Sequence, residues 1–218
     1  MPVGDDVHRI PPTLVVLLTL MVILGASAWV FAALVRRETK NRRALALAQW
    51  ARSRNLRWSD RQSKLSALDA LQRFNPKPRS VLTGENLTLV QFETAETAVD
   101  SAVIAARRWN LIFRNLKTAW PVTALRPTAH TISAADFFSL SSYPSLMPTQ
   151  RFMVFGVESR AARALAESTA PALLPADIGL VLYGNHLILD FSARPFDEIE
   201  FDRLIDLCEQ LAPRLTVF

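Results

Sequence analysis

An uncharged, mostly apolar run near the amino terminus, residues 13–35, constrains this chain more than any other feature. At 1.5 Å per helical residue, the run is roughly 35 Å long, and the apolar core of a bilayer is about 30 Å thick. The sequence therefore predicts one transmembrane helix over residues 13–35. The lipid bilayer is the first partner that the sequence predicts.

The flanks of this run predict its orientation. Residues 1–12 carry a single basic residue, Arg9, and two acidic ones. A cluster of five basic residues follows the run: Arg36, Arg37, Lys40, Arg42 and Arg43. Because basic flanks stay in the cytoplasm, residues 1–12 are predicted to form a short extracytoplasmic tail and the large carboxyl-terminal part to be cytoplasmic. The predicted location is the cell inner (plasma) membrane, crossed once.

A cleaved signal peptide is the alternative, because Ala26, Ser27 and Ala28 resemble a signal-peptidase site. Signal peptides begin with a positive region, whereas residues 1–12 are net acidic. The apolar run also continues past this site to the basic cluster. Both observations favour an uncleaved anchor.

The charge distribution argues against nucleic acid as a partner, although the formal net charge is +5. Residues 36–64 carry +8, whereas residues 65–218 carry −2. The basicity therefore belongs to the membrane-proximal segment, and the predicted folded part lacks the basic surface that binding to phosphates needs.

No residue pattern identifies a catalytic, cofactor or metal site. Cys208 is the single cysteine, so an intrachain disulfide and a multi-cysteine metal site are both excluded. The three histidines, His8, His130 and His186, accompany no nucleophile elbow, phosphate-binding glycine loop or metal-binding helix motif. The acidic group at Asp197, Glu198, Glu200, Asp202 and Asp206 is explained by the preference of helix amino termini for negative charge.

The remaining sequence predicts a basic juxtamembrane helix over residues 36–55, capped by Asn55, and one soluble domain over residues 56–218. Strands are expected at residues 56–59 and 151–157, two more within residues 99–116, and a short edge strand at residues 122–125. Hairpins are expected around residues 83–86 and at Gly184 and Asn185. Helices are expected over residues 63–74, from Ser159 as a cap, and from Asp197, which forms a capping box with Glu200. Residues 128–149 are expected to form a long loop.

This order of elements predicts an α+β domain that has a mainly antiparallel sheet with helices on one face. Cys208 falls on the apolar stripe of the last predicted helix and is expected in the core. Arg107, Arg108 and Trp109 are interpreted as an exposed strand with one packed tryptophan, with stacking on a nucleotide base as the alternative.

The chain resembles a bacterial family of single-pass, membrane-anchored proteins of unknown function, in which a span and a basic helix precede an α+β domain. The residues that carry the resemblance are Gln49-Trp50-Ala51-Arg52, Leu56-Arg57-Trp58, Val81-Leu82-Thr83-Gly84, residues 121–127 and the final strand, helix, hairpin and helix. This family has no assigned catalytic residues, so the resemblance implies none here.

Two hypotheses for function follow. The first is a single-pass membrane protein whose cytoplasmic domain is a non-enzymatic interaction or scaffolding module, with a protein partner of unknown identity. The second is a membrane-tethered, hydrolase-like enzyme whose site is assembled from distant residues such as His130, His186, Asp190 and the loop 128–149. The two hypotheses predict different geometries, because only the enzyme needs a histidine in a pocket beside a carboxylate and a hydroxyl.

Overall fold

The structure of this protein is a computed structural model that describes residues 12–59, 71, 76–95, 97–99, 102–104, 106–140, 143 and 150–215. The chain divides into two compact units, residues 1–47 and residues 48–218. The helix predicted over residues 63–74 lies outside the described residues, apart from the buried helical Leu71. The predicted tail, residues 1–12, likewise lies outside them, apart from Pro12.

A long helix, α1 (Pro12–Ser53), contains the predicted span and continues without a break beyond it. Its large apolar side chains are exposed, Trp29 by 74% and Phe31 by 70%. Among the described residues, α1 is the one helix that is long and apolar enough to cross a membrane, since an 18-residue window within Leu20–Ser53 has a mean hydropathy of 1.6. An exposed apolar helix of this length near the amino terminus indicates membrane anchoring.

The unit of residues 48–218 contains the end of α1 followed by strands, short helices and one longer helix. The strands are β1 (Arg57–Ser59), β2 (Lys77–Thr83), β3 (Leu87–Thr94), β4 (Thr97–Val99), β5 (Ala102–Ile104), β6 (Arg107–Pro127), β7 (Phe152–Gly156) and β8 (Gly179–Asp190). The helices are the 3₁₀ helix η1 (Ala134–Phe138), α2 (Ser159–Glu167), α3 (Ala170–Leu173), α4 (Glu198–Leu211) and the 3₁₀ helix η2 (Ala212–Leu215).

The main sheet is antiparallel and has the order β1-β2-β3-β6-β7, with β8 paired to β6. Strands β4 and β5 form a separate two-stranded sheet. The α+β prediction is confirmed. The hairpin around residues 83–86 is also confirmed as β2 and β3. The two strands expected within residues 99–116 correspond to β5 and the first part of β6, and Val99 is the last residue of β4.

Strand β8 folds back on itself. A straight strand of its length would separate its ends by roughly 36 Å, yet a Cβ placed on Gly179 would lie 3.4 Å from the Cβ of Asp190. Gly184 has φ +55° in the middle of β8, which suits the first central position of a type II′ turn. The predicted hairpin turn at Gly184 and Asn185 is therefore confirmed.

Strand β6 bends alongside the turn of β8 and stays paired with both halves of that strand. Asn115 pairs with His186 and Trp120 pairs with Gly184. The register shifts between these two pairs and again between Trp120 and Thr123. As a result, residues 122–125 lie between β7 and β8, so the expected edge strand is wrong. Proline is tolerated because Pro121 lies where the register shifts and Pro127 is the last residue of β6.

The two faces of the sheet are covered differently. One face packs against η1 through an apolar cluster made of Val90, Phe92, Trp109, Leu111, Phe113, Phe137, Val181 and Ile188. On the opposite face, α2 approaches Gly156 so closely that an added Cβ would lie 3.0 Å from the Cβ of Ala162. Helix α4 lies over the same face, where Arg114 of β6 approaches Glu209. Helices α2 and α4 therefore share one face of the sheet.

The expected helix caps are partly corrected. The cap of α2 is Glu158, which makes no side-chain capping hydrogen bond, and Ser159 is the first helical residue. Asp197 does cap α4, since its carboxylate accepts the Glu200 N–H at 3.0 Å. Glu200 does not complete the capping box, because its carboxylate binds Arg194 at 2.5 Å instead.

The end of α1 packs inside the second unit. The Trp50 indole N–H donates to Asp202 at 3.0 Å, and the Trp50 ring lies 5.2 Å from that of Phe201. Asn55 ends this segment with φ +56°, as the predicted left-handed cap requires. The compact unit thus includes residues 48–55. That the soluble domain can fold by itself from residue 56 onward remains a prediction.

Cys208 lies in the core with no exposed surface, and the stripe that includes Phe201, Leu204 and Leu211 is buried with it. We expect Cys208→Ser to lower the free energy of unfolding by about 1–3 kcal/mol, because it buries a hydroxyl among apolar side chains. Urea denaturation of the full chain in detergent micelles measures this, with Cys208→Ala as the control that removes sulfur without adding a polar group. A serine variant as stable as the wild type would contradict the core position.

Candidate functional site

The membrane-proximal basic cluster lies on α1, and its side chains are exposed. Arg42 donates to Glu38 at 2.6 Å, one helical turn away. The cluster thus has the accessibility that contact with lipid headgroups requires, and its role remains a prediction.

The histidines proposed for the enzyme hypothesis are not gathered around a common carboxylate in the described part of the chain. His186 lies beside the turn of β8, its Nδ1 is buried without a hydrogen-bond partner there, and burial lowers its pKa. Asp190 ends β8, about 13 Å along the strand from His186. His130 lies in the loop that follows β6, and His8 lies outside the described residues.

Asp190 is a buried carboxylate whose oxygens are held by local groups. One oxygen accepts the Ala134 N–H at 2.8 Å, and the other accepts the Ser192 hydroxyl at 2.5 Å and the Ser192 N–H at 3.1 Å. Ser192 Oγ in turn accepts the Asn110 N–H at 3.0 Å. These bonds tie the start of η1 to the end of β8, so the carboxylate positions backbone rather than a histidine.

Asp136 is a second buried carboxylate, on η1. It accepts the Ser133 N–H at 2.9 Å and forms a capping box with that serine. The Arg126 guanidinium lies 3.6 Å away. Burial is the main reason why the pKa of Asp136 is raised above its usual value, and the nearby Asp190 raises it further.

A pH-dependent stability difference follows for Asp136. A group whose folded pKa is raised contributes stability that is fully present below the unfolded pKa of about 3.9 and is lost as the pH rises through the folded pKa. Because asparagine cannot ionise, we expect the wild type to lose stability relative to Asp136→Asn as the pH rises from about 3 toward 7. Urea denaturation of both proteins in micelles across this range measures the difference.

Asp177→Asn is the matched control for this experiment. A bidentate bond from Arg194 lowers the pKa of Asp177, so its contribution is present above the unfolded pKa and is lost as the pH falls. The two variants should therefore show opposite trends against the wild type. A pH-independent difference for Asp136→Asn, or one of the same sign as the control, would contradict the buried-carboxylate account.

Arg194 connects two acidic residues beside this cluster. Its Nε and Nη2 donate to Asp177 at 2.7 and 2.6 Å, and its Nη1 donates to Glu200 at 2.5 Å. The Asp177 carboxylate, followed by Glu200, raises the pKa of Arg194 above its usual value. The network fixes the segment between β8 and α4.

Three of the five residues in the predicted acidic group around α4 make structural contacts. Asp197 caps the helix, Glu200 binds Arg194, and Asp202 accepts from Trp50 and from Arg54 at 2.7 Å. A search limited to the described residues finds no group of three metal-ligating side chains. Burial raises the pKa of the Cys208 thiol to about 12, which keeps it protonated.

Sequence reasoning missed a groove at the ends of β6. It is about 260 Å³ in volume and is lined by Arg107, Ala129, His130, Thr131, Ile132 and Ala193. We call it the Arg107 groove. Arg107 also borders an adjacent groove of about 410 Å³ that Glu93 and Arg108 line. The sequence did show Arg107 close to Trp109. No short motif, however, predicts the bend of β6 that brings residues 129–132 next to Arg107.

A third groove, of about 390 Å³, lies between the bend of β6 and the end of α4. Arg114 and Lys117 line it on one side, and Ala212 and Pro213 line it on the other. Glu209 approaches Arg114 only to 3.9 Å. The protein is thus an α+β domain that follows a long apolar helix, and this helix indicates membrane anchoring. The grooves of the domain are bordered by arginine and lysine side chains.

A comparison with known proteins finds a similar fold in one solved structure. No family model matches the chain, and no curated protein matches it either. The crystal structure of the mycobacterial trehalose monomycolate transport factor A, TtfA, is similar, with a TM-score of 0.54 and 15% sequence identity over 78% of this chain and 92% of that chain. At this identity the similarity establishes a shared fold alone.

Proposed function

We propose that this chain is a single-pass membrane protein whose α+β domain acts in the cytoplasm as a non-enzymatic interaction or scaffolding module for a protein partner at the membrane. The observation that carries the proposal is the continuity of α1, which runs from the apolar span to Trp50 and Ala51 in the second unit. A helix that is part of the domain's own packing is suited to hold that domain at the bilayer as an uncleaved anchor.

The orientation in this proposal depends on the basic cluster. Its exposed cations follow the span directly, whereas residues 1–12 are net acidic, so the cluster favours the cytoplasmic side. Attraction to anionic lipids would contribute on the order of 1 kcal/mol for each cation near the surface. The bacterial inner membrane fits this arrangement and belongs to the proposal, as does membership of the family that the sequence resembles.

The neighbour of known structure supports the proposal in general terms. TtfA is a transport factor, and a factor of this kind is compatible with an accessory role at a membrane. We extend to this chain the general role of a membrane-associated accessory protein. In this proposal, the partner is a protein of the same membrane.

Photo-crosslinking in the native membrane tests the proposal. Crosslinkers placed in the exposed parts of residues 48–215 of the full chain should capture one recurring membrane protein. A chain with residues 13–35 replaced by a polyleucine span should capture the same protein, because the domain is intact. A control that fuses residues 1–47 to an unrelated soluble domain should not. Capture that depends only on residues 1–47, or no recurring product, would contradict the interaction role.

The enzyme hypothesis makes a different prediction for His186. If this histidine were a catalytic base, His186→Gln would abolish activity in cells while leaving crosslinking intact. On the interaction account, the variant should retain both crosslinking and function in a deletion strain, because His186 contacts neither a carboxylate nor a hydroxyl in the described structure. Loss of function with normal crosslinking would favour the enzyme.

A further inference from the structure

The loop after β6 is held from one side by Arg126. Its Nε donates to the His130 carbonyl at 3.1 Å, and its Nη2 donates to the Thr131 carbonyl. The peptide bonds are trans, so each N–H points opposite to the carbonyl of its own peptide plane. The N–H groups of Thr131 and Ile132 therefore point away from Arg126.

These two N–H groups donate to no acceptor in the described part of the chain. Both residues line the Arg107 groove, and Arg126 does not. Consecutive backbone N–H groups that point to one side form a concavity suited to an anion.

Arg107 supplies a positioned cation at the same groove. Its guanidinium lies over the buried Trp109 ring, 4.2 Å from the centroid. Among the described residues its side chain makes one hydrogen bond, from Nη1 to the Ile132 carbonyl, which is long at 3.5 Å. A guanidinium has five N–H donors, so most of them have no acceptor in the described part of the chain and could bind a ligand. Stacking on the indole fixes the plane in which these donors lie.

The side chains that line the groove, rather than all the charges around it, favour an anion. His130 contributes a further polar side chain, and the described lining residues include no acidic one. Asp136, which interacts electrostatically with Arg107, and Asp190 are buried and accept local N–H groups, so neither lines the groove. Asp177, which interacts electrostatically with His130, is held by Arg194.

The groove volume restricts the class of ligand. About 260 Å³ is close to the lower end of typical small-molecule pockets, roughly 300 Å³. This space suits a phosphate with a short substituent. We propose that the Arg107 groove binds the phosphate group of a small phosphate monoester, either a soluble one or the headgroup of a lipid. This inference does not depend on the proposed interaction role.

Calorimetric titration of the full chain in phosphatidylcholine nanodiscs tests the proposal, with inorganic phosphate and glycerol 3-phosphate as probes. Saturable binding is expected, and the amide resonances of Thr131 and Ile132 should shift with it. Arg107→Met keeps an aliphatic chain over Trp109 and should weaken binding roughly ten- to hundredfold, as expected for loss of a charge-assisted hydrogen bond. His130→Gln gives a second test at the groove if Arg107→Met fails to fold, and it should also weaken binding.

Arg108→Met is the matched control, because Arg108 is the next residue along β6 and does not line the Arg107 groove. Its affinity for phosphate should equal that of the wild type. Phosphatidic acid added to the nanodiscs should compete with glycerol 3-phosphate if the site binds a lipid headgroup. If phosphatidic acid does not compete, the site binds a soluble ester. No saturable binding, or equal losses in Arg107→Met and Arg108→Met, would overturn the proposal.

Discussion

Arg194→Met should lower the free energy of unfolding by about 3–5 kcal/mol, because it leaves the Glu200 carboxylate buried without its closest counter-ion. The Glu200 side chain is only 7% exposed, and its bond to Arg194 is 2.5 Å long. The same substitution frees Asp177, which is 44% exposed and contributes less. Urea denaturation of the full chain in detergent micelles gives the value.

Two controls separate the loss of this pair from a general effect of removing an arginine. Arg203 also approaches Glu200, at 3.6 Å, but is 71% exposed, so Arg203→Met should cost at most about 1 kcal/mol. Combining Arg194→Met with Glu200→Met should recover most of the loss, since an apolar pair replaces the buried charges. Equal costs for the two arginine substitutions would show that burial of Glu200 is not the cause.

Trp109→Ala should lower the free energy of unfolding by about 3–5 kcal/mol, in the range for large-to-small core substitutions. Trp109 has no exposed surface, and its ring packs 4.6 Å from Phe137 and 6.4 Å from Phe92. The truncation opens a cavity between the sheet and η1. Thermal and urea unfolding of the full chain should report the same loss.

Trp109→Phe is the matched control for this cavity. It keeps an aromatic ring in the core and removes the indole N–H that donates to Thr94 at 2.9 Å. The expected cost is about 1 kcal/mol for the hydrogen bond, with a smaller packing loss than in the alanine variant. If phenylalanine were as destabilising as alanine, loss of the hydrogen bond to Thr94 on β3, rather than the cavity beside η1, would account for the destabilisation.

The features that were predictable from sequence are those set by local chemistry. Residues 13–35 have a length and composition that only a long apolar helix satisfies, and Gly184 allows the positive φ that a tight turn requires. The buried stripe of α4 follows from a helical repeat that places Phe201, Leu204 and Cys208 on one side. These patterns depend on residues close together in sequence, so one chain is enough to recognise them.

The features that sequence reasoning missed depend on contacts between distant residues. Pro121 and Pro127 suggested an edge strand, because the sequence gives no sign that β6 bends around the turn of β8. Glu200 was expected to complete a capping box, but Arg194 provides a stronger partner. The Arg107 groove forms only when the start of β6 meets the loop that follows its end, which no short motif specifies.

A reporter fused after Phe218 tests the central claim most directly, namely that an uncleaved span holds the α+β domain on the cytoplasmic side of the membrane. We expect a cytoplasm-dependent reporter to be active and an export-dependent reporter to be silent, with the fusion of full length in the membrane fraction. Neutralising the basic cluster while adding lysines before Thr13 should mix or invert this result. An active export-dependent reporter on the wild-type chain, or a mature protein that begins at Trp29, would contradict the claim.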